Sequence, residues 1–361
     1  MRYFVFIFFV TALFGANSKL CKTCHPTIYN EFKDSMHYKS TLKRDSIHKA
    51  LWDKTPQKKE NSYLCAKCHN PKIDNKVDDG VDCISCHTIK NIKEGSLSNS
   101  NIYCKDKKLF YSKDINQKGK VLKYHKKSYL FGLFSTTQGS PYHDIDYSNK
   151  NYYNAKACMG CHSHLKNSSN LLICNNSNIK STNNKQNCIT CHMPKVIGSA
   201  TTIKITKKHA YHGFLGAFNK PKLLAKYIDL KVLKENNSIK VLITNNTPHP
   251  LFTQPLRVLR LKVDILEKDK VVFSKNYDFK KVFAKDNKVS MPLIANKIIE
   301  DSMIKANETK NINIEYKLKK GQIAVATLGF FKIADKSAKK LGIKDKNLSS
   351  FIELKKVRIQ N

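Results

Sequence analysis

Cys21-Lys22-Thr23-Cys24-His25 opens a series of five copies of one pattern. The others are Cys65-Ala66-Lys67-Cys68-His69, Cys83-Ile84-Ser85-Cys86-His87, Cys158-Met159-Gly160-Cys161-His162 and Cys188-Ile189-Thr190-Cys191-His192. C-x-x-C-H is the attachment sequence for c-type haem. Two thiols one helical turn apart add to the two vinyl groups on one edge of a porphyrin, and the next residue then lies under the iron, where a histidine is needed. Ten of the twelve cysteines are used in this way. Cys21, Cys24, Cys65, Cys68, Cys83, Cys86, Cys158, Cys161, Cys188 and Cys191 are therefore expected to hold five covalent haems c. His25, His69, His87, His162 and His192 are expected as the proximal ligands.

A lone C-x-x-C would be read equally well as half of a structural zinc site or as a dithiol redox pair. Zinc takes four ligands, usually from two paired halves. Here every pair carries its own histidine, and the motifs begin 44, 18, 75 and 30 residues apart, which gives no repeating finger-like module.

The start of the chain points the same way. Arg2 is followed by an almost wholly apolar run from Tyr3 to Phe14 and then by Gly15 and Ala16, which reads as a secretory leader over residues 1–16. An uncleaved anchor is the weaker reading, since a bilayer span needs about 20 apolar residues. Haem is attached to c-type cytochromes outside the cytoplasmic membrane, so the leader and the motifs agree on a periplasmic location.

The formal charge is +37. Loss of Arg2 with the leader and ionisation of ten haem propionates would leave about +26. Such a balance suits steering of acidic redox partners or peripheral association with anionic lipid headgroups. It is equally what heavy, scattered lysine use on solvated faces produces. The compartment sets nucleic acid aside as a partner.

The texture of the chain changes near residue 222. All five motifs lie before residue 193, and beyond 222 there is no cysteine, a single histidine and much β-branched alternation. The expected organisation is a pentahaem region over 17–221 and a β domain over 222–361. The first spends about 40 residues on each haem, too few for a conventional side-chain core, so the porphyrins are expected to form the core of a mostly helical and irregular domain. The second has candidate strands at 227–233, 238–244, 256–266, 271–275, 311–317, 322–331 and 351–359. Their spacing suits an antiparallel β-sandwich of immunoglobulin-like type.

Within the first region, helices are expected over 26–42, carrying His37, and over 44–52, carrying His48. Trp52 is expected to pack on a porphyrin. The second and third motifs, 18 residues apart, should bring two haems close in space. Residues 88–157 form a long, weakly patterned connection that should wrap the haems. Cys104 and Cys174 are left over, either as a disulfide between two loops or as separate thiols.

With these stretches in view the chain resembles the multihaem cytochrome c-552/c-554 family. The resemblance rests on Phe32-x-x-Ser35-x-His37, Gly80-Val81-x-Cys83, Ser140-Pro141-Tyr142-His143, Cys191-His192-Met193-Pro194 and His212-x-Phe214-x-Gly216. Asn245-Asn246-Thr247-Pro248-His249 adds a likeness to members with an appended β domain. The resemblance implies His37, His143, His212 and His249 as distal ligands; His48 is the next candidate from the remaining histidines, for the fifth haem. His164 is too near His162 to serve the same iron, and Met193 is badly placed for its own haem.

Two functions follow from this reading. One is electron transfer between a quinol-linked donor or other cytochromes and a periplasmic acceptor, through bis-histidine haems of low potential. The other is an oxidoreductase that keeps one haem open for a small nitrogen or sulfur compound. The eight histidines outside the motifs can saturate five irons with three to spare, and no motif replaces its histidine with lysine, which favours the carrier.

Overall fold

The computed structural model describes residues 18–55, 63, 65–71, 79–129, 133–177, 179 and 186–361. The leader expected over 1–16 lies outside the described residues. Among those described, no helix is long and apolar enough to cross a membrane.

The first part is built of short helices. The single helix expected over 26–42 is broken in two, Pro26–Asp34 and Met36–Lys39. Ser35 causes the break: its backbone is extended, its hydroxyl donates to Phe32 O at 2.6 Å and accepts from Tyr38 N at 3.2 Å. One side chain thus ends the first helix and caps the second. The next helix runs Ser46–Asp53, starting two residues after the sequence suggests, because Asp45 is its cap and accepts from Ile47 N and His48 N.

Residues 88–157 are more regular than their polar sequence implies. Ile89–Lys93 pairs with Ser100–Tyr103, and Leu109–Tyr111 and Val121–Leu122 flank Asp144–Asp146. These ladders enclose a small core of Ile89, Tyr111, Tyr152 and Ala157. The burial is slight for so long a segment, in keeping with a region whose core is to be filled by something other than side chains.

The second part is antiparallel throughout. One sheet has the strands Ile228–Lys234, Ile239–Asn245 and Thr309–Ile314 in that order, and another has Lys270–Phe279, Val258–Glu267, Ile323–Phe331 and Ile352–Gln360. All seven expected strands are present. Alternate residues of Ile239–Asn245 and Val258–Glu267 are buried, as period-two patterning requires. Ile239, Val241, Ile243, Leu261, Val263, Ile265, Leu328 and Phe330 join one core drawn from both sheets. Each such side chain is worth about 1.5–3 kcal/mol of burial.

A third sheet, of Lys281–Lys285, Lys288–Val289 and Lys297–Asp301, was not legible in the sequence. Its strands are short and lysine-rich, and the only strong signal is Asp286-Asn287, both in the left-handed conformation of a tight hairpin turn. The helix Asp335–Leu341 was also missed.

The two parts are joined at buried contacts. Ile47 packs with Ile333, Ala338 and Leu341. Ile173 packs with Phe283 and Ala295, and Asn167 donates from one amide to Pro292 O and Ala295 O at 2.9 and 2.7 Å.

Candidate haem sites

Each motif begins on a short turn that sets its cysteine and histidine on one side. His25 N and His69 N donate to the carbonyls of Cys21 and Cys65, both at 2.9 Å. Asp82 caps Cys83–His87 through Ser85 N, and Asn187 caps Cys188–His192 in a reciprocal box with Thr190. The thiols, which stand in for the thioethers of a mature c-type protein, also link motifs: Cys21 contacts Cys83, Cys68 contacts Cys161, and Cys158 contacts Cys188. The second motif therefore meets the fourth directly, 93 residues on by count from Cys68 to Cys161. Cys104 and Cys174 are not bonded to each other. Cys104 packs beside Tyr111 and Tyr152, while Cys174 lies in a ladder opposite Leu165.

Every motif histidine faces one histidine from elsewhere. Ring centres are 6.3 Å apart for His25 and His143, 5.9 Å for His37 and His162, 6.2 Å for His87 and His212, and 6.3 Å for His192 and His249. Two imidazoles on opposite sides of one metal, each with a metal–nitrogen bond of about 2 Å, have centres about 6 Å apart. These four pairs have the room for an iron. His48 and His69 also meet, but at 4.0 Å, and Nε2 of His48 lies 3.2 Å from the Tyr63 hydroxyl. Tyr63 in turn stacks edge-on against Trp52 at 5.2 Å.

The ring nitrogens have defined roles. Nδ1–H donates to a backbone carbonyl in His25 (Ala200, 2.7 Å), His48 (Ser40, 2.9 Å), His87 (Tyr111, 2.7 Å), His192 (Leu215, 2.6 Å), His212 (Ala210, 2.7 Å) and His249 (Pro250, 2.7 Å). A carbonyl can only accept, so the proton sits on Nδ1 and Nε2 carries the free lone pair that a metal requires. Burial holds His37, His69 and His212 neutral by pushing each down to about 3. It lowers His87, His143, His162 and His249 as well. Neutral imidazole is the ligating form.

The three remaining histidines are engaged differently. His125 is exposed on a hairpin. His164 contacts Gly95 O at 2.9 Å. His209 bridges Gly198 O and Glu31 Oε1, both at 2.9 Å.

Residues 10–88, which span the first three motifs, match the family described as "Cytochrome c7 and related cytochrome c". The whole fold resembles a penta-heme cytochrome c552 from Thermochromatium tepidum, with a TM-score of 0.74 and 21% identity, over 95% of this chain and 98% of that one. The chain has the fold of a multihaem c-type cytochrome. A superoxide reductase in the oxidised state is matched over 37% of this chain and 86% of its own, at 11% identity and a TM-score of 0.20, too low to bear on the fold. No curated protein matches the chain in sequence.

Sequence reasoning missed several residues that shape these sites. Glu31 accepts from His212 N and from His209 Nε2, both at 2.9 Å, and so clamps the segment that carries His212. Phe214 lies edge-on to His37 at 4.1 Å. Gly80 takes φ +67°, and a side chain there would stand 2.2 Å from His37 O. Gly80 and Phe214 lie in stretches that carry the resemblance, but their approach to His37 was not legible there. Glu31 acts across a long stretch of chain that spacing does not connect.

Proposed function

We propose that the cytochrome is an exported electron carrier that holds five haems c, each between two histidines. The supporting observation is the pairing itself: each motif histidine faces one other histidine, so no proximal position is left without a partner. The pairs are His25 with His143, His69 with His48, His87 with His212, His162 with His37, and His192 with His249. At the second motif, ligation requires the His48 and His69 rings to part and Nε2 of His48 to leave Tyr63.

Bound haem supplies a one-electron couple, and the chain's residues hold it ready. Each haem would be held between two imidazoles, and at His25, His48, His87, His192, His212 and His249 the Nδ1–H bonds to carbonyls would raise ligand basicity and favour a low potential. In this reading residues 17–221 form the haem domain and 222–361 a β-sandwich of immunoglobulin-like type, which adds His249 to the last haem. Residues 1–16 direct export to the periplasm. The partners are a quinol-linked donor or other cytochromes on one side and a periplasmic acceptor on the other.

Electron paramagnetic resonance of the oxidised holoprotein, followed by cyanide, nitrite, hydroxylamine or sulfite, tests the proposal. Five low-spin irons and no change on addition are expected. A high-spin iron that binds one of these ligands and turns it over would make the protein an oxidoreductase instead.

A further inference from the structure

We propose that the hairpin of His125–Tyr129 and Phe134–Gln138 seats the protein on an anionic lipid surface, its apolar end in the acyl boundary and its lysines among the headgroups. The two strands pair from His125 opposite Gln138 to Tyr129 opposite Phe134, and all ten of their residues are exposed. A two-stranded ribbon open on both faces is marginal in water by itself. Exposed apolar side chains stand at its far end: Leu133 is 80% exposed, Phe134 64% and Tyr129 50%.

The charge around this end has one sign. From Ile115 to His143 there is no aspartate or glutamate, while Lys118, Lys120, Lys123, Lys126 and Lys127 lead up to the tip. At about 3.4 Å per residue, Lys126 and Lys127 lie about 7–10 Å behind Tyr129. That is the depth, about 5–10 Å, to which interfacial elements sink their apolar side chains while lysines stay at the headgroups. Aromatic residues favour the same level. A protein partner covers one face of a ribbon. A fluid closes around both, and here both faces of the paired strands are open.

The hairpin's base lies beside a haem position. Gly139 follows at φ +74°, where a side chain would stand 2.5 Å from Lys123 O, and the chain then reaches His143, which faces His25. Seating the hairpin would bring the first motif's haem toward the membrane and make it the point of exchange with a membrane-bound donor. Only this consequence rests on the carrier reading; lipid binding stands by itself.

The test is flotation of the haem-loaded protein with vesicles of phosphatidylglycerol and phosphatidylethanolamine, against phosphatidylcholine alone. The wild type should bind the anionic vesicles and lose binding as salt rises. Leu133→Ser with Phe134→Ser should weaken binding at least about tenfold. Lys126→Gln with Lys127→Gln should weaken it about 30-fold, from about 1 kcal/mol for each lysine near the surface. Haem spectra should be unchanged in both, since the hairpin is solvent-exposed. Wild-type protein that ignores the vesicles would overturn the proposal, as would a Leu133/Phe134 variant that binds as well as wild type, which would leave diffuse charge as the cause. A dimer broken by the same variants, without vesicle binding, would make the cover a second copy of the chain. An open haem in resonance spectra, with vesicle binding intact, would remove the carrier reading and leave this one standing.

Discussion

The imidazoles of His192 and His249 face each other with ring centres 6.3 Å apart and planes 21° apart. One belongs to the last attachment motif and the other to a loop of the β-sheet region. Asn245, fully buried, shapes that loop by donating to His249 O at 2.9 Å, and Thr247 donates to the same carbonyl at 2.7 Å. The β region therefore brings a ring up to a motif histidine.

Replacing His249 with Ala is expected to turn one iron from low to high spin and to leave the others unaltered. The bonds to the His249 carbonyl come from Asn245 and Thr247 and do not depend on the ring, whose own bond to Pro250 O is the one lost, so export and folding should persist. Resonance spectra that stay wholly low-spin would show that His249 is not a ligand.

Covalent attachment gives a second prediction. Intact mass of the mature protein should correspond to five haems, and Cys188→Ala with Cys191→Ala should remove one. A wild-type mass matching four or fewer in fully matured protein would mean that at least one motif stays unmodified.

Asp45 joins helix capping to a haem site. Its carboxylate accepts from Ile47 N and His48 N at 3.0 and 3.1 Å, at the start of the helix that carries His48. Asp45→Ala should cost about 1 kcal/mol, whereas Asp45→Asn, which keeps an accepting oxygen, should stay close to wild type. Denaturant unfolding of the holoprotein reads the difference, and equal losses in the two variants would rule out the cap as the cause.

Gly80 is the backbone counterpart. With φ at +67°, its missing side chain leaves room for His37 O at 2.2 Å and Ser40 Oγ at 2.8 Å, and the next amide, Val81 N, donates to His37 O at 2.9 Å. Gly80→Ala should destabilise the protein by about 2 kcal/mol or more. It should also disturb the iron that His37 is proposed to serve. A thermal transition unchanged from wild type would contradict the close approach described here.

The attachment motifs were legible because their chemistry is local. Two thiols and a histidine within one turn of chain would hold one edge of a porphyrin and its iron, and no distant residue is needed to recognise the pattern. The main strands of the second part were legible for a similar reason, since alternation such as Ile239, Val241, Ile243 follows from the two-residue period of a strand. Ser35 was visible as a residue type but not as a helix break, because a serine hydroxyl competes with the helix only when its neighbours allow it. The packing of Ile47 against Ala338 and Leu341 belongs to the fold alone. So do the joining of motifs through Cys21 with Cys83 and Cys68 with Cys161, and the clamp of Glu31 on the His212 segment. The sequence determined which histidines end the motifs and, through resemblance, which others to bring to them. Only the tertiary structure decided which ring faces which, because that separation of about 6 Å is set by elements far apart in the chain that pack together once folded.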